Sequence, residues 1–225
     1  AWWERFLGQA LLVSVTYHHF YIEHVFGHHR LAATPADPVT ARRGQWLYAF
    51  LPRAIVGSFA SAWRLEAERL ARTGRPAWSL RNRVLAGLLA EAALYAAIAL
   101  YAGWIGIVFF VVQSAIAVLL LEAINYVEHY GLARRETAPG VYERYGAEHA
   151  WDSPFRFSNW MLFNLPKHAS HHLHPGRRHD ALDYEPGAPR LPVGYPLAVI
   201  LAAIPPLWFR IVDPRLTPRQ APAGA

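Results

Sequence analysis

The chain has 225 residues, enough for one domain or one large membrane unit, and 54% of them are hydrophobic against 17% charged. That balance, with nine Trp, eleven Tyr and eleven Phe, excludes a disordered polymer, and the lack of cysteine excludes disulfides, thiolate zinc sites, iron–sulfur clusters and thiol catalysis. The net charge of +6 comes mostly from Arg and no nucleic-acid-binding motif accompanies it, so it favours anionic lipid or an acidic protein partner.

Residues 2–21 are apolar apart from Glu4, Arg5, Gln9 and the closing residues, which predicts a helix. It reads equally as a buried helix or as the end of a membrane span, since the run is shorter than the roughly 20 residues a span needs. The stretch shows no signal-peptide pattern. Next comes YIEHVFGHHR at 21–30, with His24, His28 and His29 spaced His-x-x-x-His-His. On an α-helix His24 and His28 share a face, and the adjacent His28 and His29 diverge by roughly 100°. One of that pair then serves a second metal or an irregular turn.

Residues 31–45, with TPADP, read as a loop, and 46–72 as an amphipathic helix. Its aromatics Trp46, Phe50, Phe59 and Trp63 suit a membrane interface better than an ordinary core. From 84 to 121 the only ionisable residue is Glu91. A single helix of that length would far exceed a bilayer, so two transmembrane helices are expected, about 84–102 and 104–124, hinged at Gly103 in AGWIG. A buried hairpin in a soluble protein is the rival reading. Two crossings return the chain to its starting side. Both histidine clusters and the arginines flanking them then share one face, which the positive-inside rule makes cytoplasmic.

EAINYVEHYG at 122–131 gathers Glu122, Asn125, Glu128 and His129 where the second span ends, and ionisable groups at such a depth are usually functional. Residues 137–158 read as loop. NLPKHASHHLHPGRR at 164–178 places His168, His171 and His172 at His-x-x-His-His spacing, so His168 can align with both others on a helix. Imidazole is the commonest metal ligand, and an all-nitrogen set suits iron, copper, zinc or nickel. The expected metal ligands are His24, His28, His29, His129, His168, His171 and His172. Glu23, Glu122 and Glu128, with Asn125, are the candidates for holding the ligands' outer N–H groups. His18, His19, His149, His174 and His179 read as supporting or surface residues. Residues 196–209 are apolar but interrupted by Pro205 and Pro206, and so dock on the bundle or lie in the interface rather than cross. The end, 217–225, reads as frayed. No zinc-protease His-Glu-x-x-His box, phosphate-binding glycine loop or Gly-x-Ser-x-Gly elbow is present.

These motifs resemble the integral-membrane alkane hydroxylases (alkane 1-monooxygenases) of the fatty-acid desaturase/hydroxylase superfamily. YIEHVFGHH is similar to that family's second histidine box, NYVEHYG to its signature between boxes, and LPKHASHHLHP to its third box. FLPRAIVGSFASAWRLEAERL and PPLWFRIVD also follow the family pattern. Ser170 stands where the family usually has Asp, and the first box, His-Glu-x-x-His-Lys, is not in the chain. The sequence therefore reads as a single membrane-bound di-iron hydroxylase domain over 1–225, truncated at its N-terminus.

The fold implied is an all-α integral-membrane helical bundle with a cytoplasmic histidine-rich metal-binding region, in a bacterial inner membrane. The activity implied is a di-iron monooxygenase that uses O2 to convert the terminal methyl of an n-alkane to a primary alcohol. Electrons would come from rubredoxin and its NAD(P)H-dependent reductase. The resemblance makes the same seven histidines the ligands present, and acidic rubredoxin would dock near Arg177 and Arg178. A desaturase, a hydroxylase of another apolar substrate such as a terpene or aryl methyl group, and an inactive fragment are the competing readings.

Overall fold

Five longer or functionally placed helices organise residues 2–129 in the computed structural model, which describes residues 2–216. The expected frayed end, 217–225, lies outside the described residues. The helices are α1 (Trp2–Val13), α2 (His19–Glu23), α3 (His29–Leu31), α4 (Leu47–Ala71) and α5 (Arg83–His129). A π-helical turn, His24–His28, joins α2 to α3. The expected single helix over 2–21 breaks between α1 and α2, where Thr16 takes a positive φ of 53° and the chain turns. Residue contacts divide the chain into two units: 1–30 with 55–121, and 31–54 with the residues from 122 onward.

In the first unit α5 is broken at Gly103, whose φ of 61° and ψ of −158° are non-helical. Glycine adopts this conformation without the Cβ penalty other residues incur. The two arms, 83–102 and 104–129, fold back on each other. Tyr95 and Phe110, nearly equidistant from the break, meet edge to face at 4.9 Å. Gly106 comes so close to the other arm that an added Cβ would lie 2.5 Å from the Ala102 Cβ and 3.1 Å from Ile98. At 1.5 Å per residue the first arm is about 30 Å long, the thickness of a bilayer's hydrocarbon core. The apolar surface of both arms points outward: Leu100 is 89% exposed, Tyr101 95% and Phe109 73%. Among the described residues α5 is the one helix long and apolar enough to cross a membrane. The buried apolar core of this unit is small, with Ile22, Ala62 and Val84 at its centre.

A polar knot starts α5. Asn82 caps it, its side-chain oxygen accepting the N–H groups of Val84 (2.9 Å) and Leu85 (3.3 Å). The fully buried Glu66 of α4 accepts two N–H bonds from the Arg69 guanidinium, two from that of Arg83 and one from the Arg83 backbone. Burial works to raise the Glu66 carboxyl, but these hydrogen bonds outweigh it and pull the pKa from 4.5 to about 2. A depressed carboxylate stabilises the fold above its unfolded pKa, so this contribution is complete above pH 4.5 and is lost as the pH falls toward about 2. Both arginines are partly exposed, so the expected worth is about 2 kcal/mol after screening. Glu66→Gln should lower the thermal unfolding temperature in detergent clearly at pH 7 and far less at pH 3. Equal losses at both values would show that the charge is not what matters.

The second unit holds the main core. Phe50, Tyr126, Tyr130, Trp151, Tyr195 and Trp208 are all buried there. Three of their polar tips find partners: Tyr126 Oη donates to Gln45 O (2.7 Å), Tyr130 Oη to Asp213 (2.8 Å) and Trp151 Nε1 to Tyr130 O (2.9 Å). Phe50 therefore packs in this core, not in a membrane interface, while Trp46 is exposed. The proline-interrupted segment at 196–209 becomes two short helices, α8 (Tyr195–Ala202) and α9 (Pro205–Val212), with Pro205 opening the second. Ala198, Leu201, Trp208 and Val212 on these helices join the core. Where the sequence predicts only loop, a two-stranded antiparallel sheet forms from β1 (Glu136–Ala138) and β2 (Val141–Tyr142). Gly140, at φ 74°, makes its turn, and its N–H donates to the Glu136 carboxylate (2.7 Å). Two further helices, α6 (Arg156–Met161) and α7 (His168–Leu173), complete the unit.

Candidate metal centre

The second unit brings three imidazole nitrogens together. His129 closes α5, His168 opens α7, and His172 follows one turn later, all buried. The Nε2 of His168 lies 3.1 Å from that of His129 and 3.0 Å from that of His172. Two ligand nitrogens at right angles, each about 2.1 Å from one metal ion, are about 3.0 Å apart. The outer nitrogens indicate which atoms are left to bind. His129 Nδ1 lies 3.2 Å from the carbonyl oxygen of His149, which can only accept, so Nδ1 carries the proton and Nε2 keeps its lone pair. His168 Nδ1 lies 3.2 Å from Glu128 Oε1. The three Nε2 atoms converge at one buried point, where imidazole lone pairs can be turned toward a common cation. The donor set therefore fits a nitrogen-ligated transition metal.

The surrounding side chains hold these rings. The Tyr195 hydroxyl donates to Glu128 (3.4 Å). Burial pushes the Glu128 carboxyl well up, against this hydrogen bond, and a cation among the adjacent imidazoles would favour its ionised form. Tyr145 stacks on His172 with ring centres 4.9 Å apart. The start of α7 is fastened by Asp152, whose Oδ1 accepts the Ala169 N–H (2.9 Å). Burial raises Asp152 from 3.8 to about 6, with backbone N–H groups opposing the shift. The sequence reading gives Asp152, Tyr145 and Tyr195 no role. All three reach the site across long stretches of chain, and no local spacing marks them.

His171 is less buried than His168 and His172, and its ring centre lies 5.5 Å from that of His168. Ser170 is fully buried, and its hydroxyl accepts the Asp183 N–H at 3.5 Å. Glu122 and Asn125 pair with each other, the Asn125 amide donating to Glu122 Oε2 (3.2 Å). Of the remaining histidines, His149 is buried, and its own Nδ1 accepts the Gly146 N–H (2.9 Å). His174 contacts Glu185 at 3.3 Å, and His179 is exposed.

The first unit has its own group. The sequence spacing aligns His24 with His28, and their rings do stack, 5.3 Å apart. The nitrogen that approaches His24 Nε2, however, belongs to His29, at 3.2 Å. The π-helical turn explains this, since its i→i+5 winding brings residues five apart into line, and such turns favour functional sites. Gly27 permits the packing: a Cβ there would lie 2.8 Å from Glu23 Oε1 and 3.3 Å from both Ser61 and Leu65 on α4. Glu23 and His28 are fully buried.

His18 and His19 are also inside this unit. The His18 ring lies on Gly87, and its backbone N–H donates to Glu91 (3.0 Å). His19 packs between Tyr17 and Phe59, and burial lowers its pKa to about 4, so it is neutral. It lines an open apolar groove of about 490 Å3 with Tyr17, Phe59, Tyr95, Val111 and Val118.

The fold and the nitrogen trio define a helical protein with a histidine-lined metal-binding site and a long apolar hairpin. The chain belongs to the fatty acid desaturase family, whose model matches residues 1–185. It is 45% identical over 95% of its length to alkane 1-monooxygenase 2 of Pseudomonas aeruginosa and 42% identical over 95% to alkane 1-monooxygenase of Pseudomonas putida. The xylene/toluene monooxygenase hydroxylase component XylM of Pseudomonas putida is 32% identical over 94% of the chain. The chain spans about half the length of these curated relatives: 56%, 53% and 56% respectively.

Proposed function

We propose that the full-length protein is an alkane 1-monooxygenase of the bacterial inner membrane, crossing it several times with its metal site on the cytoplasmic side. The reaction is RH + O2 + 2e− + 2H+ → ROH + H2O at the terminal methyl of an n-alkane. The observation that carries this reading is the 41–45% identity to seven alkane 1-monooxygenases over 95% of the chain, coincident with the converging histidine nitrogens.

In this reading His129, His168, His171 and His172 join His24, His28 and His29 around two iron ions. The iron supplies O2 binding and its reductive activation. Glu128 and the His149 carbonyl hold two of the imidazoles so that Nε2 faces the metal. Glu23 has the same duty in the other group, and Glu122 and Asn125 support the end of α5. The arms 84–102 and 104–124 are the two membrane spans, and their outward apolar surface supports that assignment. The apolar groove beside Tyr95 and Val111 suits an alkane arriving from the bilayer. Electrons come from rubredoxin and its reductase, as the resemblance to the alkane hydroxylases implies.

The test is product analysis in cells carrying the full-length protein and fed octane, hexadecane or p-xylene. Primary alkanols should dominate. A product that is chiefly an alkene would indicate a desaturase, and one that is chiefly the aryl alcohol would shift the assignment toward the xylene/toluene relative.

A further inference from the structure

The corner between α4 and α5, in the first unit, carries arginines that the fold does not use. Residues 64–83 hold six Arg and two Glu. The buried Glu66 takes up Arg69 and Arg83. That leaves Arg64, Arg72, Arg75 and Arg81, all exposed, against one exposed acid, Glu68. Among the described residues none of these four guanidinium groups has a hydrogen-bond or ion-pair partner. Between Arg75 and Arg81 the chain also presents two large apolar side chains to the outside: Trp78 is 76% exposed and Leu80 75%.

The corner is fixed in shape, so these groups stand in a set arrangement. Gly74, at φ 68°, turns the chain out of α4, its N–H donating to Ala71 O (3.0 Å) and that of Arg75 to Leu70 O (3.0 Å). The Asn82 amide donates to Ala77 O (2.8 Å) and the Arg69 guanidinium to Arg81 O (2.7 Å). The Trp78 ring leans on Trp63, with centres 4.8 Å apart. Two residues after Arg81 comes the first arm of α5, about 30 Å long and apolar outside. An arm of that length spans the hydrocarbon, which sets the residues just before it at the level of the lipid headgroups. Trp is favoured at that depth, and a guanidinium matches the oxygens of a phosphate.

We propose that the corner 72–83 binds anionic glycerophospholipid, with Arg72, Arg75 and Arg81 on the headgroup phosphates and Trp78 and Leu80 seated against the upper acyl chains. The proposal rests on the reading of 84–102 as a membrane span and is independent of the reaction. An acidic protein is the competing occupant; it would match the arginines but has no reason to meet them at the foot of a span.

Native mass spectrometry of the full-length protein in a neutral detergent, titrated with phosphatidylglycerol or phosphatidylcholine, measures the affinity for each lipid. Wild type should prefer phosphatidylglycerol. Arg75→Gln/Arg81→Gln should weaken phosphatidylglycerol binding about tenfold and leave phosphatidylcholine binding unchanged. Arg75→Lys/Arg81→Lys, which keeps the charge, should retain most of the preference and separates lost charge from misfolding. Arg135→Gln/Arg190→Gln removes the same charge from the second unit and should change the preference less than about twofold. Equal affinity of wild type for the two lipids, an unaltered preference in Arg75→Gln/Arg81→Gln, or a loss as large in the Arg135/Arg190 variant overturns the proposal. Weaker rubredoxin binding by Arg75→Gln/Arg81→Gln with its lipid preference intact would assign the corner to an acidic protein instead. A nitroxide on Ala93→Cys, an exposed position midway along the first arm, tests the span separately in nanodiscs. If that label meets a water-soluble nickel complex, the span reading fails. If it meets only oxygen while the lipid preference ignores Arg75 and Arg81, the span stands and this proposal alone fails.

Discussion

His168→Ala in the full-length protein should lower alkane hydroxylation by more than about 100-fold and reduce the iron content. The basis is position: its Nε2 is the middle nitrogen of the trio, 3.1 Å from that of His129 and 3.0 Å from that of His172. Replacing an outer partner of a metal ligand already costs about 10- to 100-fold in metal affinity or activity, so losing the shared ligand itself costs more. The fold should survive, since the hydrophobic core of the same unit, built around Tyr126, Trp151 and Trp208, keeps all its members in this variant. Iron per chain by elemental analysis and octanol formed from octane are the readouts. His174→Ala is the control, because His174 is partly exposed and contacts Glu185. Full iron and full activity in the His168 variant would remove it from the ligand set.

Glu128→Ala should weaken iron binding about 10- to 100-fold, equivalent to about 1.4–2.7 kcal/mol, with a smaller loss for Glu128→Gln. The carboxylate lies 3.2 Å from His168 Nδ1 and accepts from the Tyr195 hydroxyl at 3.4 Å. Alanine leaves both groups buried without that acceptor, whereas glutamine keeps an oxygen but not the charge that favours Nδ1–H on the imidazole. Competition for iron against a chelator of known affinity measures the difference. If alanine and glutamine were equivalent to wild type, the orientation of His168 would depend on packing alone.

Much of this was legible in the residue spacing. His168 and His172, four apart, predict a shared helical face, and α7 provides it with Nε2 atoms 3.0 Å apart. The glycines of AGWIG predict a hinge, and Gly103 has the positive φ that breaks α5. Glu128 next to His129 predicts a carboxylate near the ligands, and it meets His168. Other features were not legible. His24 pairs its nitrogen with His29 because the turn is π-helical, and that turn depends on how closely Gly27 meets Ser61 and Leu65, far along the chain. Phe50 has the look of an interfacial aromatic but fills the core against Tyr126. Asp152 fastens α7 from 17 residues away.

By itself the sequence determined the donor chemistry, the helical framework and the position of the hinge. These follow from residue type, from periods of 3.6 residues and from glycine's backbone freedom, all of which are local properties. Tertiary structure alone decided which nitrogen of each ring is left to bind and which surface opens toward the metal site. A tautomer is set by the hydrogen bond on the ring's other nitrogen, and for His129 that bond comes from the carbonyl of His149, twenty residues on. A pocket of about 660 Å3 lined by Arg135, His149, Arg190 and Arg215 likewise exists only because these distant chain segments close around one space.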